Sequence, residues 1–416
     1  MKKKLNVGII GLGYVGLPLL LLINKKFNVF GFDKDIDRIN LLKKGISYNS
    51  DIKNSELKRL RSNTFYSNIN YNKISICDYI IICLPSPLKK NCPDMSHIEN
   101  CFTEIYKYLR KNQTIILESS VYTGATKDIF EKKINKKFKL GKNFFLCYSP
   151  ERIDPGKRNI ENQTAYKNIT KLISGHSNKC LKKIKFLYGQ VFNSIYECDS
   201  LEIAETAKLL ENIYRSVNIG LVNEMKILTH KLNLNIHKII DAAASKPFGF
   251  TKFLPGPGVG GHCIPIDPIF MSWLAKKNKS ETKFINLSVR ANKNVTYWIT
   301  KNILQRLKKT DKILVLGLTY KKDINDLRES PSLKIFKKLI VKKYNINYKD
   351  PYIKNINVNG KIYYSTSTNN YNKFDAILLL TDHSDFNYKK ILKEGKLIFD
   401  TRGKYKKFNS SKISHL

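Results

Sequence analysis

One cysteine in a glycine-dense stretch is the feature of this chain that most plainly suggests chemistry. The run Gly256-Pro257-Gly258-Val259-Gly260-Gly261-His262-Cys263-Ile264-Pro265-Ile266-Asp267-Pro268 sets a thiol behind four glycines, with a carboxylate four residues further on. Glycine permits positive φ and close backbone approach to a ligand. The prolines at 265 and 268 stiffen the exit. A thiolate here can act as a nucleophile, and Asp267 can orient a partner or move a proton. A tight turn around a buried structural cysteine is the competing reading. Glycine density and the Asp267 spacing favour an active-site loop.

A second pair lies upstream. Ser200 to about Lys231 reads as one long helix, with Ile203, Ala207, Leu210, Ile213, Tyr214, Val217, Leu221 and Met225 at helical spacing. Lys208 and Asn212 are four apart and share a face, where a cation and a neutral donor suit an oxyanion. Glu205, Glu211 and Lys226 read as ordinary solvated charges.

These groups need elements to position them. Leu5–Ile10 is an apolar run, followed by Gly11-Leu12-Gly13-Tyr14-Val15-Gly16, an apolar helix from Leu17, and a second strand, Asn28–Phe32, ending at Asp33. A G-x-G-x-x-G between strand and helix, with an acid at the tip of strand two, is a dinucleotide-binding pattern. Gly11 makes the turn, Gly13 admits the pyrophosphate to the helix N-terminus, and Gly16 lets helix and strand pack. Asp33 would accept ribose hydroxyls and repel a 2′-phosphate, which favours NAD over NADP.

Further apolar runs end in Pro85-Ser86-Pro87, Ser119-Ser120 and Ser149-Pro150-Glu151-Arg152. Ligands of open α/β sheets bind beyond such carboxyl ends. For Ser86 a plain helix N-cap is equally well supported, and Glu151 beside Arg152 could be a surface ion pair. A second α/β pattern begins at Asp311. It keeps only Gly317 of the three glycines and offers Lys321, Arg328 and Arg402 at strand or loop ends, suited to phosphate contacts. His383 is as well read as a packed loop histidine as a ligand.

Composition bounds the rest. A chain of 416 residues with 42% hydrophobic content holds two or three domains with real cores. The 74 basic and 34 acidic residues give a net charge of +40, which raises nucleic acid as a partner. The lysines are dispersed through every segment, so compositional drift accounts for them better, and neither nucleic acid nor membrane is expected as a partner. Eight cysteines without a CxxC pair indicate free thiols in a reducing cytoplasm and no metal site. The opening Met1-Lys2-Lys3-Lys4 and apolar run are broken by glycines, so strand, turn and helix are expected there, not a signal peptide.

With these pieces in order, the chain resembles the nucleotide-sugar 6-dehydrogenases, the UDP-glucose/GDP-mannose dehydrogenase family. The likeness rests on Val7–Pro18, Glu118-Ser119-Ser120-Val121, Ser149–Arg152, Ala204–Leu209 with Asn212, Gly258–Cys263 and Asp326–Pro331. It implies an α/β fold: an N-terminal NAD-binding Rossmann domain (1–198), a central helical and dimerisation region with a long helix and the cysteine loop (199–305), and a C-terminal Rossmann-like UDP-sugar domain (306–416). It implies NAD as cofactor, a homodimer or higher homo-oligomer, and four-electron oxidation of a sugar C6 alcohol to a uronic acid.

Carried over residue by residue, Cys263 resembles the nucleophile that forms a thiohemiacetal and then a thioester. Lys208 and Asn212 resemble the oxyanion donors, and Asp267 the group that orients Lys208 or a water. Glu151 resembles the group that places the hydrolytic water, and Ser120 stands where threonine is usual. The cofactor is expected at Gly11, Gly13, Tyr14, Val15, Gly16, Asp33, Arg38, Pro85, Ser86 and Ser120. The UDP-sugar is expected at Glu151, Arg152, Lys208, Asn212, Phe253, Gly256, Gly260, Lys321 and Arg328. Ile266 replaces the lysine usual in the UDP-glucose branch, and Lys246–Phe250 with Phe253–Gly258 resembles the UDP-N-acetylglucosamine branch, which serves surface polysaccharide and O-antigen synthesis. UDP-glucose, UDP-N-acetylgalactosamine and UDP-N-acetylmannosamine stay open as substrates. A two-electron β-hydroxyacid dehydrogenase is a more distant alternative.

Overall fold

The computed structural model describes residues 4–49, 52–60, 64–152, 168–408 and 410–416. The chain divides into two units, Met1–Glu211 with Ile269–Ser280, and Asn212–Pro268 with Glu281–Leu416.

The first unit is built on a sheet whose strands, in chain order, are β1 (Asn6–Ile10), β2 (Asn28–Asp33), β3 (Phe65–Ser67), β4 (Tyr79–Ile82), β7 (Thr114–Leu117), β8 (Phe145–Tyr148), β9 (Lys171–Gly175) and β10 (Ile195–Glu197). A two-stranded ribbon, β5 (Leu88–Lys89) and β6 (Cys92–Pro93), lies between β4 and β7 in the chain. Spatial order is β10-β9-β8-β7-β4-β1-β2-β3. Neighbours run parallel except β8 and β9. The runs at β4, β7 and β8 are buried along their whole length, as strands covered on both faces must be. Val7, Ile9, Leu17, Leu20, Ile23, Ile81 and Ile116 share one core, each such burial contributing about 1.5–3 kcal/mol.

The second unit carries a parallel sheet of β11 (Lys312–Leu316), β12 (Asn345–Lys349), β15 (Ala376–Leu379), β16 (Ile398–Asp400) and β17 (Ile413–His415), ordered β12-β11-β15-β16-β17. A hairpin, β13 (Asn355–Val358) with β14 (Lys361–Tyr364), follows β12 in the chain. Val295, Ile299 and Ile303 of the helix Lys283–Arg306 pack with Ile313, Val315, Phe336 and Leu339. Both sheets have Rossmann-like topology, with the first turn after β1 and again after β11.

The helix Leu201–Lys231 forms as its periodicity predicts, but its apolar residues do not all face a core. Leu210 is 63% exposed and Leu221 60%, with Ile203, Tyr214, Met225 and Leu228 also open to solvent. The charges are mixed too. Glu205 and Lys226, read from sequence as solvated, are buried, because each has backbone groups to satisfy. Glu211 is half-buried and pairs with Arg152 at 2.7 Å.

Candidate active site

The glycine turn after β1 has three different environments. Gly11 has φ +90°, and a Cβ there would meet the Cys83 carbonyl oxygen at 2.6 Å; a Cβ on Gly16 would meet the Gly11 carbonyl oxygen at 2.0 Å. Those two glycines are demanded by the fold. A Cβ on Gly13 would meet nothing within 4 Å, so Gly13 borders open space at the start of the helix Gly16–Asn24, where a pyrophosphate fits. Asp33, at the end of β2, accepts the Leu12 N–H at 2.8 Å and the Asp35 N–H at 3.0 Å. Arg38 lies 4.0 Å from its carboxylate and over the ring of Tyr48, whose hydroxyl donates to the Leu12 carbonyl. Tyr14 and Val15 are half-buried at the turn. An open cradle with an acid at its rim fits NAD. Sequence reading missed Tyr48, since a tyrosine far along the chain carries no motif.

At the neighbouring strand ends the hydroxyls are spent on backbone. Ser86 donates to the Ser120 carbonyl, and Ser119 donates to the Leu84 carbonyl at 2.5 Å. Ser86 is therefore a cross-strand tie, and no helix begins there to be capped. Pro85 precedes it, and Ser120 is half-buried. The helix Ala125–Lys137 has no side-chain cap of its own. Glu205 supplies it, accepting the Gly124 and Thr126 N–H groups and the Thr126 hydroxyl. Burial outweighs those bonds and pushes its pKa up to about 7.

Glu151 does not form the surface pair with Arg152 that adjacency suggested. Arg152 turns to Glu211, and its other guanidinium nitrogen donates to the Thr170 carbonyl at 2.7 Å. Glu151 accepts the Arg152 N–H at 2.6 Å and lies 3.7 Å from the Lys171 ammonium. Lys171 is buried and donates to Glu118 at 2.8 Å and to the Pro150 carbonyl at 3.3 Å. Burial alone would lower its pKa, but Glu118 and Glu151 more than offset that and hold the ammonium charged. Sequence reading missed Lys171 because its strand, β9, has no motif. Residues 153–167, which follow Arg152, lie outside the described residues.

Lys208 is buried and, within its own unit, makes no hydrogen bond or ion pair with a described residue. Asn212 donates to Asp267 at 2.6 Å, both side chains being buried. Asp267 opens the helix Asp267–Lys277, and its N–H donates to the Cys263 carbonyl at 2.9 Å. The loop thus closes a turn from the thiol residue to the carboxylate. Cys263 itself is half-buried.

The loop glycines meet protein atoms on all sides. A Cβ would lie 3.0 Å from the Arg402 guanidinium at Gly256, 2.3 Å from the Thr296 hydroxyl at Gly258, and 2.5 Å from Tyr320 Cβ at Gly260. Their smallness serves packing of the loop against its own unit. The Gly261 N–H donates to the Arg328 carbonyl at 2.9 Å. The Arg328 guanidinium forks onto Asp326, the shortest contact being 2.7 Å. Burial works against that charge, but Asp326, with Tyr320 and a Cys263 thiolate behind it, carries its pKa above the usual guanidinium value. Arg328 is therefore a cation in the same unit as Cys263, held beside the loop by the Gly261 N–H. Lys321, half-buried, follows Tyr320 on the same turn.

Phe253 packs edge-on against Tyr214 and lines a 530 Å³ hollow with Leu221, Phe248 and Phe250. A larger cleft of 810 Å³ is lined by Val259, Ile264 and Pro265 but by no residue assigned chemistry. His383 is fully buried, with Thr319 and Asp350 each 3.2 Å from its Nε2, which makes it a packed histidine. Among the described residues no helix is long and apolar enough to cross a membrane.

Three models of the UDP-glucose/GDP-mannose dehydrogenase family match consecutive segments: the NAD binding domain at residues 5–192, the central domain at 202–294 and the UDP binding domain at 314–407. A UDP-N-acetyl-D-glucosamine 6-dehydrogenase of Salmonella typhi is 31% identical over 92% of this chain and 91% of its own. A UDP-N-acetyl-D-mannosamine dehydrogenase of Methanococcus vannielii is 32% identical over 96% and 93%. A solved UDP-D-ManNAc dehydrogenase from Pyrococcus horikoshii superposes with a TM-score of 0.83 at 27% identity, covering 96% of this chain and 95% of that one.

Proposed function

Because the chain belongs to the UDP-glucose/GDP-mannose dehydrogenase family and is an NAD-dependent UDP-sugar dehydrogenase, we propose that it oxidises the C6 hydroxyl of UDP-N-acetylglucosamine to the uronic acid through Cys263. The observation that carries this reading is the loop itself. The Gly261 N–H ties the loop to the Arg328 carbonyl two residues before Cys263, and the Cys263 carbonyl accepts the Asp267 N–H at 2.9 Å, with the Asp267 carboxylate held by Asn212 at 2.6 Å.

Gly11–Gly16 and Asp33 would hold NAD, and when bound one NAD for each of the two oxidations would accept the hydride. The chain's own residues do the rest. Lys208 and Asn212 donate to the C6 oxygen as it gains negative charge, a stabilisation worth several kcal/mol where water is excluded, on the order of 3 kcal/mol per donor. The Cys263 thiolate adds to the C6 aldehyde, forming the C–S bond of a thiohemiacetal. Loss of a second hydride leaves a thioester. Glu151 places the water that cleaves it, releasing the carboxylate and the thiol. Asp267 takes and returns protons while Asn212 keeps it oriented.

UDP-N-acetylglucosamine is supported by the likeness of Lys246–Phe250 and Phe253–Gly258 to that branch and by the Salmonella typhi relative's name. UDP-N-acetylmannosamine is the second reading, supported by the names of the Methanococcus vannielii and Pyrococcus horikoshii proteins. Steady-state kcat/KM on both sugars, with UDP-glucose and UDP-N-acetylgalactosamine beside them, tests the choice. A higher kcat/KM on any sugar but UDP-N-acetylglucosamine overturns it.

The proposal includes a homodimer closed over the solvent-facing row Ile203, Leu210, Tyr214, Leu221, Met225 and Leu228, since an apolar stripe of that length on one helix calls for cover. It also places the enzyme in the cytoplasm, where thiols stay reduced, serving surface polysaccharide such as O-antigen. Mass by light scattering tests the dimer; a monomer at micromolar concentration contradicts it.

A further inference from the structure

Gly256 opens the nucleophile loop, and the long helix grips its peptide at both ends. The Asn223 side-chain oxygen accepts the Gly256 N–H at 3.1 Å, and the Lys226 ammonium lies 3.5 Å from the Gly256 carbonyl oxygen. The same ammonium donates to the Thr401 carbonyl at 3.1 Å. Asn223 is held in turn by the Asn292 amide oxygen at 3.0 Å. Thr401 is followed by Arg402, whose guanidinium donates to the Leu380 and Tyr320 carbonyls and would touch any side chain placed at Gly256. Lys226 therefore ties the loop entry to the strand end that carries Arg402.

A buried ammonium held only by carbonyls is an expensive way to join two backbone segments. Lys226 is 3% exposed, and no described carboxylate reaches it within ion-pair distance. Asp400 is the carboxylate that raises its pKa, and that group already accepts the Tyr405 and Arg402 N–H groups. Arg402 opposes the Lys226 charge, and burial, with the Lys226 charge added, lowers the pKa of half-buried His230 and buried His237. A methionine of similar length would fill the space without that cost. What methionine cannot do is hold the two carbonyls.

We propose that Asn223 and Lys226 are positioning residues for the nucleotide half of the substrate, setting the Gly256 peptide and the Thr401-Arg402 strand end in the arrangement that receives UDP. The proposal rests on the reading that residues 314–407 bind the nucleotide, as the UDP binding domain match indicates. It does not depend on which sugar is oxidised or on the role of Cys263.

The test uses UDP itself, the part common to every candidate substrate, in calorimetric titrations of the full chain, with NAD titrated separately and thermal melting beside them. For Lys226→Met we expect UDP binding weaker by about tenfold or more, the worth of one hydrogen bond in the tie that sets the site, with NAD binding unchanged and Tm equal to or above wild type. A merely structural lysine predicts the opposite split, a lower Tm with UDP affinity kept. UDP affinity within about twofold of wild type, at a factor far below one lost hydrogen bond, overturns the proposal, as does equal weakening of UDP and NAD. If Lys226→Met does not fold, its role is structural and the lysine half of the proposal falls. Asn223→Ala then decides the other half by the same UDP and NAD titrations. If wild type binds no UDP, the reading of residues 314–407 has failed, which is a different result from a clamp that does nothing.

Discussion

Asp33 and Asp350 occupy the same place in two different sheets. Asp33 is the last residue of β2 and Asp350 the residue just after β12, and each accepts the N–H of the residue after the first-turn glycine: Leu12 at 2.8 Å and Leu318 at 2.7 Å. The glycines match too. A Cβ on Gly11 would meet the Cys83 carbonyl oxygen at 2.6 Å, and one on Gly317 the Thr381 carbonyl oxygen at 2.6 Å. The difference is His383, which stands 3.2 Å from Asp350 where Asp33 has no such neighbour. Asp350 is consumed by its own unit, also accepting the Tyr352 and Ile353 N–H groups, and on that contrast rests the ribose role proposed for Asp33.

That contrast gives a first prediction. Asp33→Asn should weaken NAD by about ten- to hundredfold, the worth of a hydrogen bond to a charged acceptor, and narrow the preference over NADP. Asp350→Asn should leave the NAD constant alone and lower Tm. Kinetic constants for both cofactors, with a melting curve for each variant, check the pair. An unchanged NAD to NADP ratio in Asp33→Asn contradicts the ribose role.

Asp267→Asn should cost about 10²–10⁴-fold in kcat, the usual span for a lost proton-transfer group. Asn212 would then face an amide in place of the carboxylate it now holds. UDP-sugar KM should move only a few-fold by the same argument. A kcat near wild type would leave Asp267 with a packing role alone.

Gly258→Ala should strain the loop without touching a catalytic group. Its φ is +135°, and the added carbon would displace the Thr296 hydroxyl that donates to the Pro257 carbonyl at 2.6 Å. A cost of about 1–3 kcal/mol is expected for such backbone strain, read as a lower Tm together with a raised UDP-sugar KM. Wild-type values for both would mean the loop tolerates a side chain there.

Two buried charges give stability a pH dependence of opposite sign. The folded pKa of Glu205 is raised from 4.5 to about 7, so the folded chain holds a proton that the unfolded chain has lost. Its contribution is complete below pH 4.5 and disappears as pH rises through about 7, a change on the order of 3 kcal/mol. The folded pKa of Lys226 is lowered from 10.5 to about 7, so the unfolded chain binds the extra proton. Stability from this group rises as pH climbs from about 7 towards 10.5. Chemical denaturation across pH 5 to 9 should lose the first slope in Glu205→Gln and the second in Lys226→Met. Slopes that persist in those variants would assign the dependence to other groups.

Much of this was legible in the sequence because the signals were local. The run before Gly11, the three glycines and the acid at Asp33 are contiguous in effect, and β1, β2 and the helix between them form within a residue or so of where the pattern puts them. The strand at β11 falls on the residues expected, Lys312–Leu316. What failed was long-range. Glu205 and Lys226 look like helix-surface charges until Gly124, Thr126, Gly256 and Thr401 are brought to them. The apolar row of the long helix has core spacing but leaves Leu210 and Leu221 in solvent, since periodicity says that a face is apolar and not what covers it. β9 and β10 were not read at all, being short and lysine- or acid-bearing.

The central claim is that Cys263 carries a four-electron oxidation. Counting NADH formed per UDP-N-acetylglucosamine consumed, for wild type and for Cys263→Ser, tests it most directly. Two NADH per sugar with uronate from wild type, and no uronate from the serine variant, is the predicted result. One NADH per sugar from wild type, or undiminished uronate from Cys263→Ser, would contradict it.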